Sequence, residues 1–351
     1  MFKGGPARLG RSGERLAPPF KLAWKAEPGG AFYSSPALVS GTAYAGNSDH
    51  HVYAYSLESG ALKWRTRLPE RIYGSSPQVE GGLVYIACVD GCIYALDAER
   101  GGVKKSYCAP KRGVFGWPDV LGSPLIAGDR LYFGSDNREI YGFSLDGVKL
   151  WSFEAGDKVH DAAPALAAGL LYVGAGDGRL YALDKDSGKL AWKSADFEKL
   201  NTTAMLHEGR AYFGAADGRL HCLNALDGRE LWSFDTGNGV MSSPSLSEDG
   251  QSLVFGGSDG NLYCLGLLGG SLKWKAATGG AVLASPLVTG PTAWVGSYDK
   301  KFYAFGMKDG ALLYAFRTGG GVFSSAAAAQ GRVVVGSRDG ALYCFEAAGA
   351  R

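Results

Sequence analysis

The sequence predicts an all-β fold: an eight-bladed β-propeller of four-stranded antiparallel blades, closed by an N-terminal strand that completes the last blade. Three observations predict it. A motif of the form D-G-x-L-Y-A-L-D, followed by Gly and Trp, recurs along the chain, most clearly at Asp177-Gly178-Arg179-Leu180-Tyr181-Ala182-Leu183-Asp184 with Gly188 and Trp192 behind it. Its period, 40 to 44 residues between closing aromatics, is that of a radial repeat of small sheets. No stretch carries sustained helical periodicity.

The register follows from four anchors. The turn Asp falls at Asp49, Asp90, Asp136, Asp177, Asp217, Asp259, Asp299 and Asp339. The third-strand ring is Tyr53, Tyr94, Tyr141, Tyr181, His221, Tyr263, Tyr303 and Tyr343. The closing aromatic is Trp24, Trp64, Tyr107, Trp151, Trp192, Trp232, Trp274 and Tyr314. A run of small residues ending in Pro, such as Ser34-Ser35-Pro36, opens each unit; Ala204 and Ala326 replace Pro in two copies.

Each unit therefore reads as four strands. The first follows the small-residue run, the second is apolar, the third is Leu-Tyr-Ala-Leu, and the fourth ends at the aromatic. Asp-Gly supplies the positive φ of a tight hairpin between strands two and three. A second Gly serves the turn between three and four. Glycine, 54 of 351 residues, is about twice its usual share, and these turns explain much of the excess. Six indoles, Trp24, Trp64, Trp151, Trp192, Trp232 and Trp274, are expected to anchor neighbouring blades. The last copy has only three strands, whereas the chain opens with a spare one, Phe20 to Lys25. Joining them removes the open sheet edges. The expected organisation is a lead-in over 1–19, one propeller over 20–346 and a tail over 347–351.

Lysine plus arginine is 36 and aspartate plus glutamate is 34, giving a net charge of +2. This gives no electrostatic case for nucleic acid as a partner. No apolar run is long enough to span a bilayer, and the first twenty residues lack the apolar core of a signal peptide. Cys222, Cys264 and Cys344 stand where the repeat has Ala, so they read as small packing residues. A bond between Cys88 and Cys92 is geometrically open across their hairpin.

The unit S-S-P…D-G-x-L-Y-A-L-D…G-x-x-x-W resembles the pyrroloquinoline-quinone-type propeller repeat over essentially the whole chain. That resemblance implies one of two branches. The quinoprotein dehydrogenases hold pyrroloquinoline quinone (PQQ) and calcium near the propeller axis. They add a vicinal Cys pair or comparable cover, calcium ligands and a catalytic Asp, none of which maps onto this sequence. The other branch comprises non-catalytic scaffold or sensor propellers that bind proteins through loops, and it favours an extracytoplasmic setting. This compact chain is closer to the second. The expectation is a protein-interaction module without cofactor. The alternatives are a PQQ- and calcium-dependent oxidoreductase, or a ligand-sensing domain of a larger receptor or kinase.

Two departures from the repeat are the candidate sites. From closing aromatic to Pro or Ala, the spacings are 12, 13, 17, 13, 12, 12, 12 and 12. The outlier, between Tyr107 and Pro124, carries Lys111, Arg112, Phe115, Trp117 and Asp119, and an insertion in a regular repeat is where binding tends to be grafted. The entry to the fourth blade reads Asp157-Lys158-Val159-His160-Asp161. Lys158, His160 and Asp161 are expected at the channel mouth, either as an ion pair among themselves or as a polar binding site. No catalytic residue and no metal site is assigned.

Overall fold

The computed structural model describes residues 2–110 and 119–347. It is an eight-bladed propeller. Seven blades are formed by consecutive four-strand units, of which the first comprises Ala37–Val39, Thr42–Gly46, His51–Ser56 and Leu62–Arg67. The eighth combines Ala327–Ala329, Arg332–Gly336 and Leu342–Ala347 with the N-terminal strand Phe20–Ala26. That strand runs antiparallel to the last one, from Phe20 against Ala347 to Ala26 against Leu342, so the pairing reaches one residue beyond the expected boundary at 346. No helix among the described residues is long and apolar enough to cross a membrane.

The core is divided among the seams. Each of eight apolar clusters is built from two adjacent blades, and the cluster of Trp24, Phe32, Tyr53, Val334 and Leu342 joins the last blade to the first. Indoles cross these seams. Trp24 Nε1 donates to Leu57 O at 2.8 Å, Trp64 to Ala98 O at 3.0 Å, Trp151 to Lys185 O at 3.1 Å and Trp274 to Met307 O at 2.9 Å. Each ring covers the turn glycine of the following blade. A Cβ on Gly188, whose φ is +69°, would lie 2.5 Å from the Trp151 ring. Both the backbone conformation and the ring therefore require glycine there. Trp192 and Trp232 are only half-buried.

The cysteine substitutions have a steric reason. Cys222, Cys264 and Cys344 stand directly across the strand pair from Trp232, Trp274 and Trp24, where other blades carry Ala54, Gly142 or Ala182. The indole leaves room for only a small side chain. In the second blade, Cys92 is bonded to Cys108 and not to Cys88. The two bonded residues face each other across the outer strand pair with Cα atoms 4.1 Å apart. Cys88 is a free, buried thiol that donates to Glu70 O.

The lead-in segment occupies the channel. The carbonyls of Pro6, Ala7, Leu9 and Gly10 accept the amides of Leu166, Leu206, Leu246 and Val288, one from each of four successive innermost strands. Arg11–Ser12 then pairs in parallel with Leu287–Thr289, and the Glu14 carboxylate accepts the amides of Gln330 and Gly331. Of these, only the Glu14 contacts use a turn opposite the Asp-Gly hairpins; the others run along the innermost strands. Innermost strands are sheet edges with unpaired amides, and the segment satisfies them in order.

Candidate functional site at the channel mouth

The hairpin face begins with the repeated pair of the motif. Tyr53, Tyr94, Tyr263 and Tyr343 each donate to the turn Asp four residues earlier at 2.6 to 2.7 Å. Tyr303 does the same to Asp299, and His221 Nε2 lies 2.9 Å from Asp217. Turn aspartate and third-strand ring thus consume one another's polarity.

The third blade shifts this register. Its Tyr141 bonds Asn137 at 2.7 Å, so Asn137 takes the place assigned from sequence to Asp136. Asp136 moves to the preceding turn position, held elsewhere by Ser48, Val89 or Gly176. Its carboxylate is buried and lies 2.8 and 3.0 Å from His160 Nδ1 and 3.5 Å from Lys158 Nζ. The ion pair expected within the fourth-blade entry is therefore made to the third blade, with Asp136 as acceptor and not Asp161. The Asp136 hydrogen bond raises the pKa of His160 above its ordinary value.

Asp161 sits deeper. One carboxylate oxygen would lie 3.1 Å from a Cβ placed on Gly74, and burial pushes its pKa up. Asp119 is likewise raised, by burial and then by Asp136. Of the long third-blade entry, Lys111, Arg112, Phe115 and Trp117 lie outside the described residues. Asp119 is the one described member, and its carbonyl accepts the Asp136 amide at 2.9 Å.

Adjoining this acidic and imidazole wall, with Tyr73 next to the Gly74 that faces Asp161, stands an aromatic one. Tyr33 and Tyr73 stack with centroids 4.4 Å apart, and Phe323 meets Tyr33 edge-on at 5.9 Å. The Arg338 guanidinium lies 5.6 Å from the Tyr33 ring and 5.5 Å from the Tyr298 ring, and Arg71 lies 5.7 Å from Tyr73. Tyr298 and Arg338 occupy the same pre-turn position as Asp136. The signal was present in the sequence: three blades replace a small residue there with a large polar one. The contacts of Tyr33 with Tyr73, Phe323 and Arg338 arise only when the ring closes.

Beneath the mouth runs a hydrogen-bonded belt. The second small residue of each Ser-Ser-Pro run accepts the amide of its counterpart in the preceding blade. Ser35 N donates to Ser76 Oγ, Ser76 N to Ser123 Oγ, Ala163 N to Thr203 Oγ1 and Thr203 N to Ser243 Oγ. Ser243 N donates to Ser285 Oγ, Ser285 N to Ser325 Oγ, and Ser325 N back to Ser35 Oγ. Among the described residues the belt lacks one link, between Ser123 and Ala163, directly beside Asp161.

A quinone with calcium needs several carboxylate or amide ligands converging near the axis. Here both Asp136 oxygens face His160. The axis is taken by the lead-in, with Arg8 fully buried and donating to Pro164 O and Pro124 O. No group of three or more His, Cys, Asp or Glu among the described residues is placed to hold a metal ion. The described residues do not fit that group.

Comparison with solved structures agrees on the fold. The chain superposes on a europium-containing methanol dehydrogenase with a TM-score of 0.83 at 14% identity, covering 99% of this chain and 97% of the other. BamB from Moraxella catarrhalis gives a TM-score of 0.75 at 17% identity, covering 93% and 100%. The quinohemoprotein alcohol dehydrogenase from Comamonas testosteroni gives 0.81 at 14%, covering 97% and 79%. No curated protein matches significantly in sequence. Residues 34–347, nearly the whole ring, match one family, and the chain belongs to it: the family described as beta-alanine-activating enzyme, beta-propeller.

Proposed function

We propose that this propeller is a non-catalytic interaction module that contacts a protein partner through the mouth on its hairpin face. The observation that carries this reading is the two-walled mouth. Tyr33, Tyr73, Tyr298, Phe323, Arg71 and Arg338 form one wall, and Asp119, Asp136, His160 and Asp161 the adjoining one. Partly exposed aromatic and arginine side chains are the favoured anchors of protein interfaces. The family description supports the reading, because it names a propeller as one part of an activating enzyme. A part that binds while another part does chemistry suits that arrangement. Lys111, Arg112, Phe115 and Trp117 belong to the same entry loop as Asp119 and would extend the surface.

The test is capture of partner by immobilised protein. Tyr73→Ala with Arg338→Ala, and separately Trp117→Ala with Arg112→Ala, should abolish capture while leaving the melting temperature unchanged. Full capture by both double variants, with loss in Leu226→Asp or Leu268→Asp on the opposite turns, would overturn the assignment. Leu226 and Leu268 are 80% and 70% exposed there. Addition of PQQ with Ca²⁺, followed for bound chromophore and dye-linked alcohol oxidation, addresses the oxidoreductase alternative. Stoichiometric chromophore with turnover would replace the present reading.

A further inference from the structure

The channel holds a cavity of about 190 Å³ between the lead-in and the innermost strands of the seventh, eighth and first blades. Its origin is legible in one strand. The inner strand of the last blade is Ala327–Ala329, preceded by Ala326; the third, fifth and seventh blades place Leu125, Met205 and Leu287 where Ala327 stands, whereas the first and fourth also carry alanine, Ala37 and Ala165. The alanine run leaves the space unfilled.

The polar lining is one-sided. Lys3, Arg11 and Ser12 enter from the lead-in, and Ser35 and Ser325 come from the belt. Each of the two belt hydroxyls already accepts a backbone amide, Ser325 N on Ser35 and Ser285 N on Ser325. A hydroxyl whose oxygen is occupied in this way still carries a proton to donate. Five donor-bearing side chains therefore line the cavity, two of them cationic; Arg11 donates to Ser247 O and Glu248 O and Ser12 to Ala328 O, which leaves Lys3, Ser35 and Ser325 as the donors the cavity can use. The remaining lining includes Pro36, Pro286 and the alanine methyls.

The electrostatics point the same way. Burial, and then the like charge of Arg8, hold the Lys3 ammonium well below its usual pKa. It donates to the neutral carbonyl of Pro244. An anion in the cavity would offset both the burial and the repulsion.

We propose that this cavity is a binding site for a short aliphatic carboxylate, its carboxylate on Lys3, Ser35 and Ser325 and its alkyl end on the alanine strand. The site is separate from the mouth and does not depend on the function proposed for it. The test uses the whole chain with propionate as probe, sodium chloride and phosphate as comparison anions, and saturation-transfer NMR with thermal shift as readouts. Propionate should give a transfer signal from its methyl group and a melting temperature that climbs with concentration beyond the salt-matched control. Lys3→Met should weaken binding by at least about tenfold. Because Lys3→Met could also loosen the lead-in, Ala327→Leu is the second variant. It fills the cavity with the residue found at this position in blades three and seven, leaves Lys3 in place, and should abolish the signal in a folded protein. No propionate signal, an unchanged signal in Ala327→Leu, or an equal response to phosphate would overturn the proposal.

Discussion

The buried carboxylate of Asp136 receives the His160 imidazole at 2.8 Å across the seam between the third and fourth blades. This contact exists because the third-blade turn is displaced by one residue, so Asn137 serves Tyr141 and Asp136 is released toward the mouth. It predicts a pH dependence. Asp136, as hydrogen-bond acceptor, raises the folded-state pKa of His160 above the ordinary 6.5. The stabilisation is then fully present below that ordinary value and lost as pH rises through the folded value. Asp161, raised by burial, acts in the same direction at lower pH, because its ionisation in the folded state is disfavoured. The melting temperature of wild type should exceed that of His160→Gln most in mildly acidic buffer, and the gap should close toward alkaline pH. A gap that widens with pH would contradict the assignment.

The belt makes a second prediction, in both directions. Ser123→Ala removes the acceptor of the Ser76 amide, which is buried and bonded at 2.8 Å. An orphaned buried amide costs about 1–3 kcal/mol. Ala163→Ser supplies the missing hydroxyl toward Ser123 and should gain about 0.5–1.5 kcal/mol. Urea unfolding measures both, and hydrogen exchange at Ser76 should quicken only in the first variant.

These two regions show what the sequence makes legible. The turn aspartates, third-strand tyrosines and closing indoles announce the blades because each repeat must solve the same turn and packing problem locally. The fourth-blade departure was also visible as Lys158, His160 and Asp161. Its partner was not, because Asp136 lies on another blade and its release depends on a one-residue shift that the motif conceals. The lead-in was hidden for a related reason. Residues 6–10 carry no strand periodicity, since their carbonyls each serve a different blade. Likewise the second small residue of Ser-Ser-Pro forms a belt only when Ser325 meets Ser35.

Burial separates the indoles in a third prediction. Trp151 is 8% exposed, donates to Lys185 O and covers Gly188. Trp151→Ala should cost about 3–5 kcal/mol. Trp192 makes the equivalent bond to Ala225 O at 3.1 Å but is half-buried, so Trp192→Ala should fall near or below about 3 kcal/mol. Equal losses in denaturant titrations, or a loss near zero for Trp151, would remove burial of the ring as the source of seam stability.

The second-blade disulfide supplies the last prediction. Cys92 and Cys108 enclose a separation of 16 residues on the two outer strands of one blade. Closing a loop of that length in the unfolded chain is worth about 3 kcal/mol. Reduction, or Cys92→Ser with Cys108→Ser, should lower the unfolding free energy by up to about that amount. The strand pairing that already aligns Cys92 with Cys108 should preserve the fold. Cys88 gives an internal control. It is fully buried, and burial pushes its thiol up to about 12. A thiol reagent should therefore label two cysteines after reduction of the folded protein, Cys92 and Cys108, and reach Cys88 only on unfolding. Labelling of Cys88 in the folded, oxidised protein would mean that its place in the seam between the first and second blades is wrong.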